Sequence, residues 1–452
     1  MTSFLRHVLD RPFNDDEIRI ITIPAPTAPP ETLLACEPDW PAVFWSPGAG
    51  RTMAGAGAAL VVEGAGPGRF AEVAAIADRL WPRIASLVHP GVEPVPPRLF
   101  GGLSFLPDRP DGPWRPFGAA WFVLPLFLYV PGRHGARLAV VATGDQVRER
   151  GAEPIADAAE SILEHLAGSQ AAEGAALDDP PPRPVGPAEP ADEVGWRRAV
   201  ASIQERIAAG QVDKVVAARA AELAFATPID PVTVLRRLGS SAAETRFAFR
   251  TDGATFVGAA PERLVYRRGL DVRTEALAGS APARGEAPRE ELRSSPKDGE
   301  EHRLVVQAIA EALAPLCHRL DYPWEPEVRR LRHLIYLRTP FSGTLRRPVP
   351  VLDLVSRLHP TPAVGGYPAA EAMDWIAGEE GLERGWYAAP VGWFDAWGDG
   401  EFVVASRSAL LYGDRAAVYA GAGIVGASDA GAELAETEAK MRRMLCALGV
   451  DS

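Results

Sequence analysis

The chain has 452 residues, 47% hydrophobic and 23% charged, a globular composition with enough length for two domains. Its formal net charge of -12 argues against nucleic-acid binding, and an anionic ligand would need a local positive site. Three separated cysteines, Cys36, Cys317 and Cys446, indicate no disulfide framework, so a cytoplasmic protein is expected. No apolar run suits a membrane span or signal peptide, so we expect no membrane association.

The first part of the chain, residues 1–168, carries scattered elements and no chemical motif. Alternating or apolar runs predict strands over 58–63, 99–105, 121–130 and 136–143, and helical spacing predicts helices over 71–80 and 155–166. Residues 169–191 are polar and Pro-rich, which predicts a linker or surface loop.

The second part, residues 192–452, has sharper signals. Helices are predicted over 196–209, over 296–314 and at the C-terminus, and strands over 212–219, 245–250, 255–257, 263–267, 391–394, 401–407, 409–412 and 416–420. Many short strands with a few long helices favour an α+β fold over a doubly wound parallel sheet.

The C-terminal helix carries a polar arc beside its apolar stripe. At about 100° per residue, Asp429, Glu433, Glu436 and Lys440 fall within about 60° of one another. The small-residue run 420–423 precedes this helix. Acidic groups at the edge of a core, next to a backbone that carries only small side chains, indicate a bound cation and an anionic ligand. The alternative is an exposed, Glu-rich helix. Asp429 is expected only to cap this helix.

A second acidic pair lies on the helix 296–314. Glu301 projects from the apolar face, within about 40° of Val305, and Asp298 shares that side. A buried carboxylate needs a partner, which is either a metal ion or an arginine. Together with Glu433 and Glu436, this pair predicts an all-oxygen site suited to Mg²⁺.

Two further side chains could transfer protons. Lys214 lies inside a strand among small or apolar residues, and Glu262 follows a run of tiny residues. The alternatives are an exposed strand lysine and a turn glutamate. His333 is kept as a candidate, and glycine backbone N–H groups could bind a carboxylate.

These motifs together resemble the chorismate-utilising enzymes, over residues 194–449. The resemblance rests on six blocks in order: 214–219, 256–262, 274–280, 295–302, 359–366, and 384–387 continuing through Arg407 to the C-terminal helix. Any block alone is weak, but six in order are specific. Ser280, Ala260 and Leu434 depart from the usual threonine, serine and tryptophan.

The resemblance implies a role for each matched residue. Lys214 would be a general base and Glu262 a general acid. Glu301 and Glu436 would bind Mg²⁺, with Asp298 and Glu433 supporting them. The implied substrate-binding residues are Tyr387, Arg407, Ala278, Gly279, Ser280, His333, Thr361, Gly421, Gly423 and Lys440.

Within the family, Lys214 stands where water-adding members carry a lysine, and Ala278 stands where aminodeoxychorismate synthases can carry a nucleophilic lysine. The closest resemblance is to isochorismate synthases of the menaquinone and siderophore type. The alternatives are a salicylate synthase, which also eliminates pyruvate, and a non-catalytic domain of the same fold. No glutaminase subunit is expected.

The implied fold is two packed antiparallel β-sheets flanked by helices, as in anthranilate synthase component I. Residues 1–168 would contribute strands to the same sandwich, so that the chain would form one structural domain.

Overall fold

The computed structural model describes residues 2–14, 16–37, 39–133, 135–169, 181–186, 192–283, 287–331 and 334–450. The α-helices of these residues are α1 (Thr2–Leu9), α2 (Arg69–Leu80), α3 (Gly144–Arg150), α4 (Glu153–Ser169), α5 (Glu193–Ala208), α6 (Pro231–Leu238), α7 (Ala287–Ser294), α8 (Pro296–Leu313), α9 (Val351–Leu358), α10 (Ala369–Gly378) and α11 (Ala430–Ala447). The strands before residue 200 are β1 (Ile18–Ala25), β2 (Ala42–Ser46), β3 (Met53–Gly64), β4 (Ile84–Val88), β5 (Arg98–Leu103), β6 (Ala120–Val130) and β7 (Ala136–Thr143). The later strands are β8 (Lys214–Ala224), β9 (Thr245–Thr251), β10 (Ala254–Ala260), β11 (Arg263–Arg268), β12 (Asp271–Pro282), β13 (Cys317–Asp321), β14 (Glu327–Leu331), β15 (Leu334–Leu345), β16 (Gly366–Tyr367), β17 (Pro390–Asp395), β18 (Gly400–Val404), β19 (Ser408–Tyr412) and β20 (Arg415–Ile424).

The strands form a continuous hydrogen-bonded network that divides at β6 into two arms. The long strand β6 pairs with β3 along one edge, and with β5 and then β7 along the other. The first arm runs β3–β2–β9–β10–β19–β20–β8–β16, and the second runs β5–β17–β18–β11–β12–β15. The described pairs in both arms are antiparallel.

The two arms pack face to face around an aromatic core. Phe122 of β6 contacts Phe394 and Phe402 of the second arm, with ring centroids 5.3 and 6.2 Å apart. On the first arm, Phe256 meets Trp114 at 4.9 Å. Helix α11 covers β20 and helix α8 covers β12. The predicted α+β sandwich is confirmed, with the addition that β6 joins its two sheets.

Strand pairing crosses the predicted boundary between the two parts of the chain. Strand β2 pairs with β9, and β5 pairs with β17. The backbone N–H of Val185 donates to Ala224 at 2.7 Å. The boundaries at 169 and 191 stay predictions, because most of that segment lies outside the described residues. Among the helices of the described ranges, none is long and apolar enough to cross a membrane.

Two side-chain caps fix the helices that carry the acidic residues. Ser295 Oγ accepts from the backbone N–H of Asp298 at 3.2 Å, with Pro296 as the first helical residue of α8. Asp429 caps α11 by accepting from Ala432 N at 2.8 Å. Asp429 therefore satisfies the helix end, and Glu433, one turn later on α11, is buried.

Candidate active site

A small cavity of about 60 Å³ lies where β8, β12 and β20 meet α8 and α11. The predicted site residues that line it are Glu262, Ala278, Gly279, Ser280, Glu301, Tyr387, Arg407, Gly421, Gly423, Glu436 and Lys440. These residues come from four of the six sequence blocks, so the fold gathers distant motifs into one place. The other two blocks, 214–219 and 359–366, contribute Val216, Ala363 and Val364 to the same wall.

Lys214 lies behind the cavity wall, next to Glu301. Its side chain is fully buried at the start of β8, and Nζ donates to Glu301 Oε1 at 2.8 Å. Glu301 lines the cavity, whereas Lys214 does not. The carboxylate therefore stands between the lysine and the cavity.

Glu436 accepts two strong hydrogen bonds. Lys440, one turn later on α11, lies 2.6 Å from Glu436 Oε1, and Ser280 Oγ donates to the same oxygen at 2.8 Å. Burial alone would raise the pKa of Glu436, but Lys440, Ser280 and Lys297 together lower it to about 2. This carboxyl group is therefore an anion throughout the physiological range. Lys440 also donates to Gly421 O at 2.9 Å, which fixes the amine over β20.

Asp298 and Glu433 lie just outside the cavity lining. Glu433 is buried and pairs with Lys297 of α8. Burial raises the pKa of both carboxyl groups, and the negative charge of Glu436 raises each further. The four carboxylates of α8 and α11 thus repel one another across a shared, poorly solvated space.

Glu262 is a buried carboxyl group that stays protonated near neutral pH. Burial and the nearby charge of Glu275 raise its pKa to about 8, although Lys214 and Arg407 oppose the shift. Glu275 is itself held by Arg338 Nε at 2.5 Å and by Arg329 at 3.1 Å. The structure therefore places a neutral acid within reach of the charges of Lys214 and Arg407.

Tyr387 and Arg407 form the wall opposite the acidic helices. The ring of Tyr387 stacks on Tyr419, with centroids 5.2 Å apart. Arg407 donates to the hydroxyl of Tyr336, and its φ of 56° is unusual for a residue with a side chain. Strained backbone of this kind is often found at ligand-binding positions. A buried guanidinium beside a phenol suits recognition of a carboxylate.

Glycines let the backbone approach the acidic side chains. A Cβ atom at Gly423 would lie 2.7 Å from Glu301 Oε1 and 2.7 Å from Lys214 Cε. At Gly279, where φ is 73°, it would lie 3.0 Å from Asp298 Cβ. At Gly421 it would lie 3.3 Å from the hydroxyl of Tyr387. Any side chain at Gly423 would therefore push Lys214 and Glu301 apart.

The predicted substrate-binding residue Thr361 is not brought to the cavity. Thr361 is buried in the loop before β16 and is not among the residues that line the cavity. Its carbonyl oxygen accepts from Gly365 N at 2.9 Å, a role that shapes the loop. His333 lies outside the described residues.

The sequence reasoning missed Lys297 and Tyr336. A simple signal pointed to Lys297, since lysine occurs three times in the whole chain, at 214, 297 and 440, and the other basic side chains are arginines. Each lysine pairs with one acid of the α8 and α11 set. Tyr336 had no comparable signal, because it meets Arg407 across 71 positions of sequence.

The chemistry of this donor set fits a hard cation. Its oxygen atoms belong to carboxylates and a hydroxyl group, and three ammonium groups pair with three of the four acids, which leaves one negative charge in excess. Among the residues that the structure describes, no three Asp, Glu, His or Cys side chains converge tightly enough to enclose an ion alone. Two protein carboxylates with substrate oxygens and water would suit Mg²⁺, which seldom uses an all-protein cage.

The chain has relatives among known proteins. The chain is 37% identical over 411 residues to the salicylate biosynthesis isochorismate synthase of Pseudomonas aeruginosa, covering 87% of this chain and 82% of that protein. It is 37% identical over 376 residues to the isochorismate synthase MenF of Bacillus subtilis, covering 80% and 76%.

Solved structures agree with this. The menaquinone-specific isochorismate synthase MenF of Escherichia coli superposes with a TM-score of 0.78 at 26% identity, covering 99% of this chain and 98% of that one. Anthranilate synthase component I of Streptococcus pneumoniae shares the fold, with a TM-score of 0.59 at 22% identity over 79% of this chain and 82% of that one. The sequence profile of the chorismate binding enzymes matches residues 5–449. The chain therefore belongs to the family of chorismate binding enzymes, as its motifs predicted.

Proposed function

We propose that this enzyme is a Mg²⁺-dependent isochorismate synthase. In the proposed reaction, water adds at C2 of chorismate and the C4 hydroxyl leaves as water, so that the net change is an isomerisation. The observation that carries the proposal is the nearness of two buried groups: Glu262, whose pKa is raised to about 8, and Lys214, whose charge opposes that rise. Two relatives that cover most of the chain are named as isochorismate synthases, which supports the same reaction.

Proton transfer is assigned to these two groups. Lys214 takes a proton from the attacking water, and Glu262 gives one to the departing hydroxyl. An ammonium that donates to a carboxylate is already protonated, so Lys214 acts as a base only after it separates from Glu301.

The remaining residues bind and orient the substrate. Arg407 and Tyr387 are proposed to hold the enolpyruvyl carboxylate, while Lys440 and the backbone at Gly421 face the ring carboxylate. Glu301 and Glu436 would hold Mg²⁺, with Asp298 and Glu433 beside them. Bound Mg²⁺ supplies Lewis-acid polarisation of the ring carboxylate.

The test is product analysis with purified full-length chain, chorismate and either Mg²⁺ or excess EDTA. We expect isochorismate with Mg²⁺ and none with EDTA. Glu301→Gln and Glu436→Gln should each lose at least about 100-fold in kcat/KM. The matched controls, Glu300→Gln and Glu438→Gln, remove exposed acids of the same two helices and should keep activity. Turnover that is unchanged by EDTA would refute the metal assignment.

The same assay separates the alternatives. Salicylate with pyruvate would indicate a salicylate synthase, and chorismate that stays unchanged would indicate a non-catalytic binding protein. The cytoplasmic location and the lack of a glutaminase partner stay predictions.

A further inference from the structure

A second cavity, of about 740 Å³, lies outside the site described above. It opens between β2, β5, β11, β17 and the loop after β17, and it shares no lining residue with the chorismate cavity. The volume of this second cavity is about tenfold larger than that of the chorismate cavity. Its wall combines arginines with the aromatic rings of Trp45, Tyr266, Trp393 and Trp397.

Charge is concentrated in this wall. Its arginines are Arg51, Arg98, Arg137, Arg263, Arg267, Arg268 and Arg273. Its acids are Asp395, Asp399 and Glu401. Seven positive against three negative side chains leave a formal excess of four positive charges, in a chain whose net charge is -12. Such a local field attracts small anions that the rest of the protein repels.

Part of this charge is already neutralised. Arg263 lies 3.0 Å from Glu401, Arg267 lies 2.6 Å from Asp399, and Arg137 lies 3.2 Å from the exposed Glu93. These ion pairs do not indicate a ligand, because each of the three arginines already has a carboxylate partner. The remaining four arginines, Arg51, Arg98, Arg268 and Arg273, have no carboxylate within ion-pair distance in the described part of the chain.

Arg98 is the most informative of these four. Its guanidinium lies over the ring of Trp393 at 4.3 Å and donates to the sulfur of Met53 at 2.8 Å, a weak acceptor. No carboxylate of the described chain lies within ion-pair distance of it, and its Nε is buried without a hydrogen-bond partner. Burial lowers the pKa of Arg98, the negative charge of Asp395 in the same wall opposes that shift, and Arg51 and Arg137 lower the pKa further. A half-buried guanidinium whose Nε has no partner, and which lies near two other arginines, favours a bound anion.

The other three arginines extend the positive surface to solvent. Arg51, Arg268 and Arg273 are exposed at the cavity wall, and no described acid pairs with them. Arg273 lies 6.0 Å from the centre of the Tyr266 ring, as Arg263 does at 5.9 Å on the same ring. Guanidinium groups held against aromatic faces keep their donor edges free for a bidentate oxyanion.

We propose that this cavity binds a small organic or inorganic polyanion, one with two or more carboxylate or phosphate groups. Arg98 anchors one anionic group at the buried end, and Arg51 and Arg273 contact the other at the open end. The tryptophan and tyrosine rings between them favour a planar body. Arginine binds the oxygen atoms of both carboxylates and phosphates. The two kinds of anion are therefore tested separately.

The experiment is calorimetric titration of the full chain with phthalate and, separately, with inorganic pyrophosphate. At low ionic strength we expect saturable binding of at least one probe. Arg98→Met and the double variant Arg51→Gln with Arg273→Gln should each weaken it at least tenfold. The matched control Arg150→Gln removes an exposed arginine of α3 and should leave binding unchanged.

A second control separates this site from the chorismate cavity. Arg407→Met should retain probe binding, because Arg407 belongs to the other cavity. The double variant removes only exposed side chains, so it keeps the test valid if Arg98→Met fails to fold. Absence of binding by both probes, or binding that the double variant leaves unchanged, would overturn the proposal. Turnover of chorismate in the same preparations tests the proposed function independently.

Discussion

Lys214 Nζ donates to Glu301 Oε1 at 2.8 Å, so the proposed base and a proposed metal ligand hold each other. Gly423 makes this contact possible, since any side chain there would strike both partners. The contact holds the lysine behind the cavity wall. When Glu301 binds a different partner, Lys214 is released from this contact and becomes available as the proposed base.

Removal of either proton-transfer group should stop turnover without unfolding the enzyme. Lys214→Met and Glu262→Gln keep the approximate shape of each side chain and remove its acid–base function. We expect kcat to fall by about 10²–10⁴-fold in each. Circular dichroism should match the parent. A rate near that of the parent in either variant would rule out its assigned role.

The rate should fall at high pH with a midpoint set by Glu262. This carboxyl group must be protonated to donate to the leaving hydroxyl, and its pKa of about 8 means that the proton is lost as pH rises through that value. Accordingly, kcat/KM should drop about tenfold per pH unit above about 8.

The charge of Glu275 should control that midpoint. Glu275→Gln removes the negative neighbour while Arg329 and Arg338 remain, so the pKa of Glu262 should fall and the alkaline limb should move to lower pH. Glu327→Gln, which removes the exposed partner of Arg338, serves as the control. An unchanged limb in Glu275→Gln would argue that another group controls it.

Amine-selective reagents should inactivate the enzyme through its active site. The three lysines of the chain all pair with the acidic set of α8 and α11. Lys297 is the most exposed of them, at 33%, so we expect it to react first, and chorismate with Mg²⁺ should slow the loss of activity. Peptide mass mapping would identify the labelled residue. Full labelling of Lys297 with undiminished turnover would contradict its place at the site.

The N-terminal part should affect substrate binding through Trp114. Its indole Nε1 donates to the hydroxyl of Tyr419 at 3.0 Å, and Tyr419 stacks on Tyr387. Trp114→Phe leaves that hydroxyl without its donor, at a cost of about 1–3 kcal/mol in the free energy of unfolding. We expect KM for chorismate to rise severalfold with little change in kcat. A variant that loses only stability would limit Trp114 to a structural role.

Much of the site could be predicted because its helices carry local signals. Ser295 with Pro296 and the cap at Asp429 mark where α8 and α11 begin, and helical spacing then places Glu301 and Glu436 on the buried side. Strand β8 was expected for a similar reason, since Val215 and Val216 lie in an apolar run.

The rest of the fold and of the site depends on contacts between residues that are far apart in the sequence. Strands β12 and β15 pair over most of their length, yet β12 is rich in small residues and β15 contains Pro340, so neither has a clean strand pattern. The Tyr336–Arg407 contact depends on the position of β15 in that pair, and the junction at β6 depends on its pairing with β3, β5 and β7. Periodicity reports which face of an element is apolar, and it carries no information about which partner covers that face.

The most direct test of the proposed chemistry is turnover of chorismate in water enriched with the heavy oxygen isotope. Attack of solvent at C2 with loss of the C4 hydroxyl predicts that the isochorismate formed by the purified enzyme carries one heavy oxygen, on C2. Mass spectrometry with fragmentation would locate it. Isochorismate without the label would contradict water addition, and with it the roles given to Lys214 and Glu262.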